Sequence, residues 1–256
     1  MGRLDGKVAL ITGAGSGFGE GMAKSFTKEG AHVIIADISE DGGKRVESEI
    51  ASSGVPGKAV FLKMDVTKEA AWKEALEASK SKFGKLDIVV NNAGTTYWKK
   101  PSIEVTEAEF DKVVAVNMKS IFLSVTVIMP YFVERKSGCY LNTSSVAGYR
   151  TRPGQVFYGG TKGWVNVVTQ ALAAEWGSYG IRVNSVCPLR GATALLEHFS
   201  GTADTPEERE RFAKSVPLGR MSEVQDISNA AVFLVSEEAS FVTGVNFPVD
   251  GGRLAV

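Results

Sequence analysis

Residues 7–19 read KVALITGAGSGFG and decide the fold, because a short apolar run rich in β-formers passes directly into a run of alternating glycines. A helical pattern continues from there to about residue 29, so we predict a strand, a tight turn and a helix. Glycines let a backbone approach a phosphate closely, and the helix that follows presents free N–H groups and a positive dipole end. The loop therefore fits a pyrophosphate, although such a turn could also be only a tight connection.

The glycine spacing in this loop is T-G-x-x-x-G-x-G over residues 12–19, and the common dinucleotide pattern G-x-G-x-x-G matches no register of it. A search with that pattern alone would overlook the loop. The candidate phosphate-binding residues are Gly13, Ser16, Gly17, Phe18 and Gly19.

A second buried strand is predicted over residues 32–36, and it ends on Asp37. A carboxylate at this place accepts hydrogen bonds from the ribose diol of an adenosine and repels a 2′-phosphate. The two positions that could supply a compensating cation are Ser16 and Ile38, so NAD is favoured over NADP. The alternative is a solvated aspartate at a strand end.

The alternation of strands and helices continues along the chain, with further strands predicted over residues 59–64, 86–90, 138–143, 181–187 and 245–249. The third strand leads into Asp65 and Val66, where Asp65 could bond the adenine amino group, and the fourth leads into Asn92, Ala93 and Gly94. Such alternation implies one α/β domain over residues 1–256, with about seven parallel strands and helices on both faces. Ligands bind beyond the carboxyl ends of such strands, so these motifs should meet in space.

The composition is that of an ordinary soluble protein, with 44% hydrophobic and 23% charged residues among 256. Lys and Arg number 29 and balance 29 Asp and Glu, which argues against a nucleic-acid partner or a membrane-surface protein. The longest apolar run, residues 121–133, is too short to span a bilayer. Cys139 and Cys187 lie in apolar runs without metal-ligand spacing, so we expect buried free thiols and no metal site. Free thiols indicate a reducing compartment, and we therefore expect a cytoplasmic location.

Tyr158 and Lys162 are four residues apart on a predicted helix, so both side chains project from one face. An adjacent ammonium lowers the pKa of a phenol, which would make Tyr158 a usable proton donor or acceptor. Such a pair also occurs by chance on many helices.

Upstream, Thr106 and Glu109 form a capping-box pattern at the start of a long predicted helix. Asn117 lies within that helix, where it could simply be tolerated, bend the helix or hold a water.

Taken together, these motifs closely resemble those of the short-chain dehydrogenase/reductase family. The resemblance covers nearly the whole chain and includes residues 12–19, Asp65, residues 91–94, Asn117, Ser145, Tyr158, Lys162, Asn184 and residues 250–252. Two positions depart from the family's pattern: Phe18 stands where Ile or Leu is usual, and Leu189 follows Pro188 where Gly is common.

The resemblance implies a single Rossmann-type domain and four catalytic residues. Tyr158 would exchange the hydroxyl proton, Ser145 would polarise the substrate oxygen, Lys162 would lower the pKa of Tyr158 and hold the nicotinamide ribose, and Asn117 would position a water. At the nicotinamide end it implies contacts from Pro188, Gly191 and Thr193.

Residues 189–216 are polar and too long for a simple loop, which suggests a helical lid. With the segment after residue 94, this lid should line a pocket for a small polyhydroxylated or acidic substrate. The candidate lining residues are Thr96, Tyr97, Trp98, Arg152, Gln155, Arg190, Leu195 and His198.

Three functions compete. An NAD-dependent dehydrogenase of a small secondary alcohol (a polyol, sugar or hydroxy acid) fits best, a 3-oxoacyl thioester reductase shares the fold and the four residues, and a non-catalytic NAD-binding sensor would not need them. We count Asp37 and the balanced net charge against the thioester reductase, which would favour NADPH and a cationic patch for a carrier protein. Apolar helices over residues 121–133 and 163–176 predict a homotetramer.

Overall fold

The computed structural model describes residues 2–191 and 196–256 of the chain, and it contains one seven-stranded parallel sheet in the order β3-β2-β1-β4-β5-β6-β7. The strands are β1 (Val8–Thr12), β2 (His32–Asp37), β3 (Ala59–Lys63), β4 (Ile88–Asn91), β5 (Gly138–Thr143), β6 (Ile181–Pro188) and β7 (Asn246–Val249). The predicted parallel α/β fold is therefore confirmed. The order of strands reverses beside β1, and a crevice for ligands forms beyond the carboxyl ends at such a point.

Helices cover both faces of the sheet. They are α1 (Gly17–Lys28), α2 (Glu40–Ser52), α3 (Glu69–Phe83), α4 (Glu107–Val114), α5 (Ser120–Arg135), α6 (Val156–Trp176), α7 (Leu196–Ser200), α8 (Pro206–Ala213) and α9 (Val224–Val235). Along β1, Ala9 and Ile11 pack into the core beneath α1 and α9, whereas Val8 and Leu10 pack into the core beneath α3 and α5. Because both faces are covered, the strand is apolar at successive positions.

The predicted capping box at the start of α4 is present. The Thr106 hydroxyl accepts a hydrogen bond from the Glu109 N–H, and the Glu109 carboxylate accepts one from the Thr106 N–H. Between α4 and α5 the chain makes one π turn, Ala115–Lys119, with Asn117 at its centre. A π turn inserts an i→i+5 bond into a helix, so Asn117 lies at a local irregularity of the helix, while a bend or a bound water there stays a prediction.

The continuity of α4, the π turn and α5 corrects the prediction about membrane spans, which considered only residues 121–133. The combined helix Glu107–Arg135 has 29 residues and is long and apolar enough to cross a bilayer by those two criteria alone. Inside the fold, 44% of its most apolar window is buried. A core helix of a water-soluble protein meets the same criteria, so one such helix is weak evidence for a membrane.

The Thr12 hydroxyl joins the carboxyl ends of β1 and β4. It accepts hydrogen bonds from the N–H groups of Asn92 and Ala93, both at 3.0 Å, and donates to the Val90 carbonyl at 3.2 Å. The Asn92 amide returns to β1, donating to the carbonyls of Thr12 at 2.9 Å and Gly13 at 3.2 Å. These bonds hold the glycine loop against the segment that follows β4.

We predict that Thr12→Val lowers the free energy of unfolding by about 2–4 kcal/mol, because the two N–H groups lose their buried acceptor while the side-chain volume is kept. Thr12→Ser is the matched control: it keeps the hydroxyl and should lose only about 1 kcal/mol for the missing methyl group. Urea unfolding of the three proteins measures the difference. Equal stability of the Val and Ser variants would show that the hydroxyl does not join the two strands.

Candidate active site

A cavity of about 650 Å³ lies beyond the carboxyl ends of the strands and contains most of the predicted site residues. The predicted residues that line it are Gly13, Ser16, Gly17, Phe18, Asp37, Ile38, Asp65, Val66, Asn92, Ala93, Gly94, Ser145, Arg152, Gln155, Tyr158, Lys162, Pro188, Arg190 and Gly191. Thr193 and Leu195 lie outside the described residues. One continuous cavity therefore joins the glycine loop to the segment around Tyr158.

The glycine loop requires its glycines for two different reasons. Gly13 has a φ of +64°, a conformation that side chains disfavour. Gly19 does not line the cavity; a Cβ atom there would lie 2.2 Å from the Gly13 carbonyl oxygen, so glycine lets α1 pack against the loop. Ser16, the N-cap of α1, makes no side-chain capping bond, and it lines the cavity with Gly17. The N-terminal end of α1 thus faces the cavity, as anion binding requires.

Asp37 lies at the end of β2, on the cavity wall. Its carboxylate accepts hydrogen bonds from the Gly15 and Ser39 N–H groups, each at 2.8 Å, so the side chain is fixed in place. The neighbouring Ile38 side chain is exposed. Nearby cations have carboxylate partners: Arg45 is bonded to Glu20 and Glu49, and Lys63 to Glu40.

Asp65 lies at the same end of the cavity, after β3. Burial raises the pKa of its carboxyl, but hydrogen bonds from the Thr67 hydroxyl and N–H and the charge of Lys68 outweigh it, so the net shift is downward. This end of the cavity thus carries two carboxylates, Asp37 and Asp65.

The four predicted catalytic residues converge at the other end of the cavity. Tyr158 and Lys162 lie on α6 and are buried, and Ser145 is the second residue after the end of β5. The Lys162 ammonium donates to the Thr143 carbonyl at 2.7 Å and lies 5.9 Å from the centre of the Tyr158 ring. A Cβ atom on Gly94 would lie 3.6 Å from both Lys162 Nζ and Asn117 Oδ1, which places the groups around one point.

Asn117 itself is buried behind the cavity wall. Its side-chain oxygen accepts from the Thr95 N–H at 2.8 Å, and its amide donates to the Thr95 carbonyl at 3.0 Å and to the Thr161 hydroxyl at 3.1 Å. The side chain therefore connects the π turn to α6 and to the segment after β4.

The pKa of Tyr158 corrects the prediction from the sequence. Burial raises it to about 12, only partly offset by a hydrogen bond with Ser145, whereas an adjacent ammonium was expected to lower it. Burial also lowers the pKa of Lys162 to about 8. The ammonium is directed at the Thr143 carbonyl, and the burial shared by both side chains dominates. Tyr158 is thus a protonated phenol at neutral pH.

Four of the predicted substrate residues lie outside the wall and support Gln155, which lines it. The Thr96 hydroxyl donates to the Gln155 side-chain oxygen at 2.7 Å, and the Gln155 amide donates to the carbonyls of Tyr97 and His198, both at 3.1 Å. Trp98 packs edge-on against His198 with ring centres 5.3 Å apart. Contact of these four with substrate stays a prediction.

Sequence reasoning missed several lining residues. They are Met64, Thr95, Lys99, Lys112, Val116, Thr143, Ser144, Val146, Ala147, Arg150, Pro153, Leu189, Phe199 and Phe212. Phe199 and Phe212 belong to α7 and α8, which confirm helices within the predicted lid, and Phe199 packs on Tyr158 with ring centres 5.0 Å apart. The sequence signal that could have indicated Phe199 and Phe212 is that each is an aromatic residue within the otherwise polar segment 189–216.

We predict that Lys162→Met raises the free energy of unfolding by about 1–3 kcal/mol at pH 7, because an unfolded lysine binds its proton more tightly than the buried one. Between pH 8 and 10.5 the unfolded state binds more protons than the folded state. The buried lysine therefore lowers the free energy of unfolding of the parent by its full amount below pH 8, and by less as the pH rises through that window. Urea unfolding at pH 7 and pH 9.5 should show the advantage of the variant shrinking. A Met variant less stable than the parent at pH 7 would contradict the buried-charge interpretation.

Comparison with known proteins agrees with this geometry. A family model described as enoyl-(acyl carrier protein) reductase matches residues 13–253. The chain is 42% identical to 4-formylbenzenesulfonate dehydrogenase of Comamonas testosteroni over 250 residues, covering 98% of each, and 36% identical to cyclopentanol dehydrogenase of a Comamonas species over 255 residues, covering 100% of each.

A solved structure is also close to this chain. The structure of a 3-ketoacyl-(acyl-carrier-protein) reductase from Brucella melitensis complexed with NADH superposes with a TM-score of 0.89 at 45% identity, and the match covers 98% of this chain and 99% of that one. With the parallel sheet, the glycine loop and the cluster around Tyr158 already established, the chain belongs to the short-chain dehydrogenase/reductase family.

Proposed function

We propose that the protein is an NAD(H)-dependent oxidoreductase that interconverts a small secondary alcohol, such as a polyol, sugar or hydroxy acid, and its ketone. The observation that carries the proposal is the single cavity with two chemically different ends. One end holds the glycine loop and Asp37, and the other holds Ser145, Tyr158 and Lys162. A dinucleotide lying along the cavity would bring its reactive ring to the proton-transfer residues.

The residues present fit a nicotinamide dinucleotide. The glycine loop and the N-terminus of α1 would take the pyrophosphate, Asp37 the adenosine ribose and Asp65 the adenine. At the other end, Lys162, Pro188 and Gly191 would surround the nicotinamide half. When bound, the nicotinamide supplies or accepts the hydride.

The protein's own side chains then manage one proton and one developing negative charge. In reduction Tyr158, a protonated phenol at neutral pH, donates its proton to the carbonyl oxygen and becomes a phenolate. In oxidation the phenolate form of Tyr158 takes the proton from the hydroxyl and becomes the phenol again. The Ser145 hydroxyl binds the same oxygen and orients it. Lys162 stabilises the phenolate as it forms, and Asn117 holds α6 and the π turn in register around the site.

Two other functions were considered. A non-catalytic NAD sensor would gain nothing from burying Lys162 and Tyr158 together, whose altered pKa values require energy to maintain. A 3-oxoacyl thioester reductase is a stronger rival than the sequence suggested, because the related Brucella enzyme is described in complex with NADH. The balanced net charge does not exclude it either, since basic residues cluster locally at the cavity. The aromatic side chains Phe199 and Phe212, which line the cavity from α7 and α8, still favour a small substrate.

The two relatives are named for substrates of different charge. One acts on an aromatic sulfonate and another on cyclopentanol, a neutral cyclic alcohol. In this chain Phe199 and Phe212 line the cavity, so both a neutral cyclic alcohol and an aromatic anion are candidate substrates.

We further propose a homotetramer in the cytoplasm, without a nucleic-acid or membrane partner. Phe122 on α5 and Val167 on α6 are exposed apolar residues on the two helices that were expected to pair. The two buried, free thiols Cys139 and Cys187 suit a reducing compartment.

We predict that NAD is used in strong preference to NADP. Asp37 would repel a 2′-phosphate. The double variant Asp37→Ser, Ile38→Arg should therefore shift the ratio of kcat/KM toward NADP. Ile38→Arg alone is the control, because it adds the cation and keeps the carboxylate. Equal kcat/KM for both cofactors in the parent protein would contradict the assigned role of Asp37.

A screen of sugars, polyols, diols and hydroxy acids with NAD tests the function itself. With the best substrate, Tyr158→Phe should lower kcat by about 10³-fold or more while NADH binding is nearly unchanged, because the variant loses the proton carrier and little packing. NADH fluorescence titration measures the binding. Turnover by the Phe variant within a few-fold of the parent would end the proposed mechanism.

A further inference from the structure

The substrate end of the cavity is strongly cationic. Five basic side chains line it, and the only carboxylates that line the cavity in the described parts of the chain, Asp37 and Asp65, belong to the other end. The five are Lys99, Lys112, Arg150, Arg152 and Arg190. Residues 192–195, which lie next to Gly191 outside the described ranges, have no charged side chain in the sequence. A chain with no net charge has thus concentrated positive charge around one pocket.

Two of these side chains share one aromatic ring. The guanidinium carbon of Arg190 lies 4.7 Å from the centre of the Phe212 ring, and that of Arg152 lies 5.6 Å from it. Phe212 belongs to α8, within the lid. Arg190 also donates to the Phe199 carbonyl at 3.2 Å, and the Phe199 ring packs on Tyr158. Arg190 is therefore linked through Phe199 to Tyr158, the phenol that handles the proton, and Arg152 is joined to Arg190 by the Phe212 ring that they share.

Neither guanidinium has an anionic partner among residues 2–191 and 196–256. By contrast, Arg45, Arg135 and Arg220 each bond a carboxylate. On α8 the charge of Glu208 acts to raise the pKa of Arg190, but its carboxylate forms no ion pair with Arg190 and is hydrogen-bonded to Arg211 at 2.6 Å. Burial lowers the pKa of both Arg152 and Arg190, and neighbouring arginine charges lower both further. Like charges held together at a cavity are stabilised when an anion enters.

We propose that the substrate carries an oxyanion group, a carboxylate or sulfonate, and that Arg152 and Arg190 bind it beneath the lid helix α8. This inference rests on the proposed function and narrows its substrate class. A planar guanidinium donates two parallel hydrogen bonds to such a group, and two of them can bind it from different sides. The fixed anion would orient the carbon skeleton so that its hydroxyl or carbonyl reaches Tyr158 and Ser145.

A small molecule suits this site better than an acidic carrier protein. Arg190 is partly buried and is held under Phe212 and against the Phe199 carbonyl, where a docking protein surface would not reach. Lys99, Lys112, Arg150 and Arg152 are exposed, whereas Arg190 is half-buried, so Arg152 lies at the edge of the site and Arg190 lies inside it. A partner protein would use only the exposed cations, whereas a small oxyanion could also reach Arg190 and bind between it and Arg152.

Matched pairs of alcohols test the inference with NAD: 3-hydroxybutanoate against its methyl ester, and 4-(1-hydroxyethyl)benzoate against its methyl ester. The acid of at least one pair should show kcat/KM about tenfold or more above its ester, the effect of one charge-assisted hydrogen bond. Arg152→Gln and Arg190→Gln should each raise KM for that acid about tenfold and leave KM for the ester and for NAD within about twofold. Lys214→Gln, which removes a charge from an exposed side chain at the end of α8, should change none of these values.

A binding measurement separates this inference from the proposed function. Benzoate and benzenesulfonate should raise the melting temperature of the NAD-saturated protein, benzamide should not, and Arg190→Gln should remove the anion effect. If no alcohol is turned over but the anions still bind through the arginines, the proposed function fails and the anion site stands.

Two results would overturn the anion site itself. One is that esters and benzamide match the anions and the Gln variants change nothing. The other is that only carrier-protein-linked 3-oxoacyl substrates respond to the Gln variants, which would assign the cations to a protein partner.

Discussion

The site depends on one buried hydroxyl, that of Thr12. Three strands end beside it, and its hydrogen bonds fix the backbone after β4 against the glycine loop after β1. Asn92 extends the link to β5, because its side-chain oxygen accepts a hydrogen bond from the Thr143 hydroxyl at 3.2 Å. The Thr143 carbonyl in turn accepts the Lys162 ammonium. A continuous chain of polar contacts thus connects the phosphate-binding loop to the proton-transfer residues across the centre of the sheet.

Burial explains both the reactivity of this site and its instability. The same packing that excludes water around Tyr158 and Lys162 disfavours the charged form of each, in opposite directions on the pH scale. Tyr158 is uncharged at neutral pH, and among the described residues no carboxylate forms an ion pair with the Lys162 ammonium, so an oxyanion that develops beside that ammonium would be stabilised by it. The two arginines under α8 repeat this arrangement at the substrate end.

The sequence predicted what local pattern determines. The strand and helix alternation, the glycine loop and the capping box at Thr106 all follow from the spacing of neighbouring residues, and each was found within a few positions of its predicted bounds. What it missed depends on contacts between distant segments. Two examples are Phe212, which reaches the cavity from 54 positions beyond Tyr158, and the raised pKa of Tyr158, which reflects burial by several elements. Of the cationic cluster, the sequence indicated Arg152 and Arg190 but not Lys99, Lys112 and Arg150, and the balanced count of charges over the whole chain gave no sign of a local excess.

The π turn at Ala115–Lys119 also affects how this helix is aligned with others. Each π turn takes one more residue than the turn it replaces, so the helical phase before it and the phase after it are offset. Val113, before the turn, faces Tyr97 and Tyr158 at the site, whereas Leu123 and Phe132, after it, face the core beneath the sheet. A single-residue deletion within the turn would restore a regular spiral and rotate one of these faces out of position. Deletions within these five residues should therefore be rare among related chains. Substitutions at exposed positions of the same helix would not change the offset and should be tolerated more often.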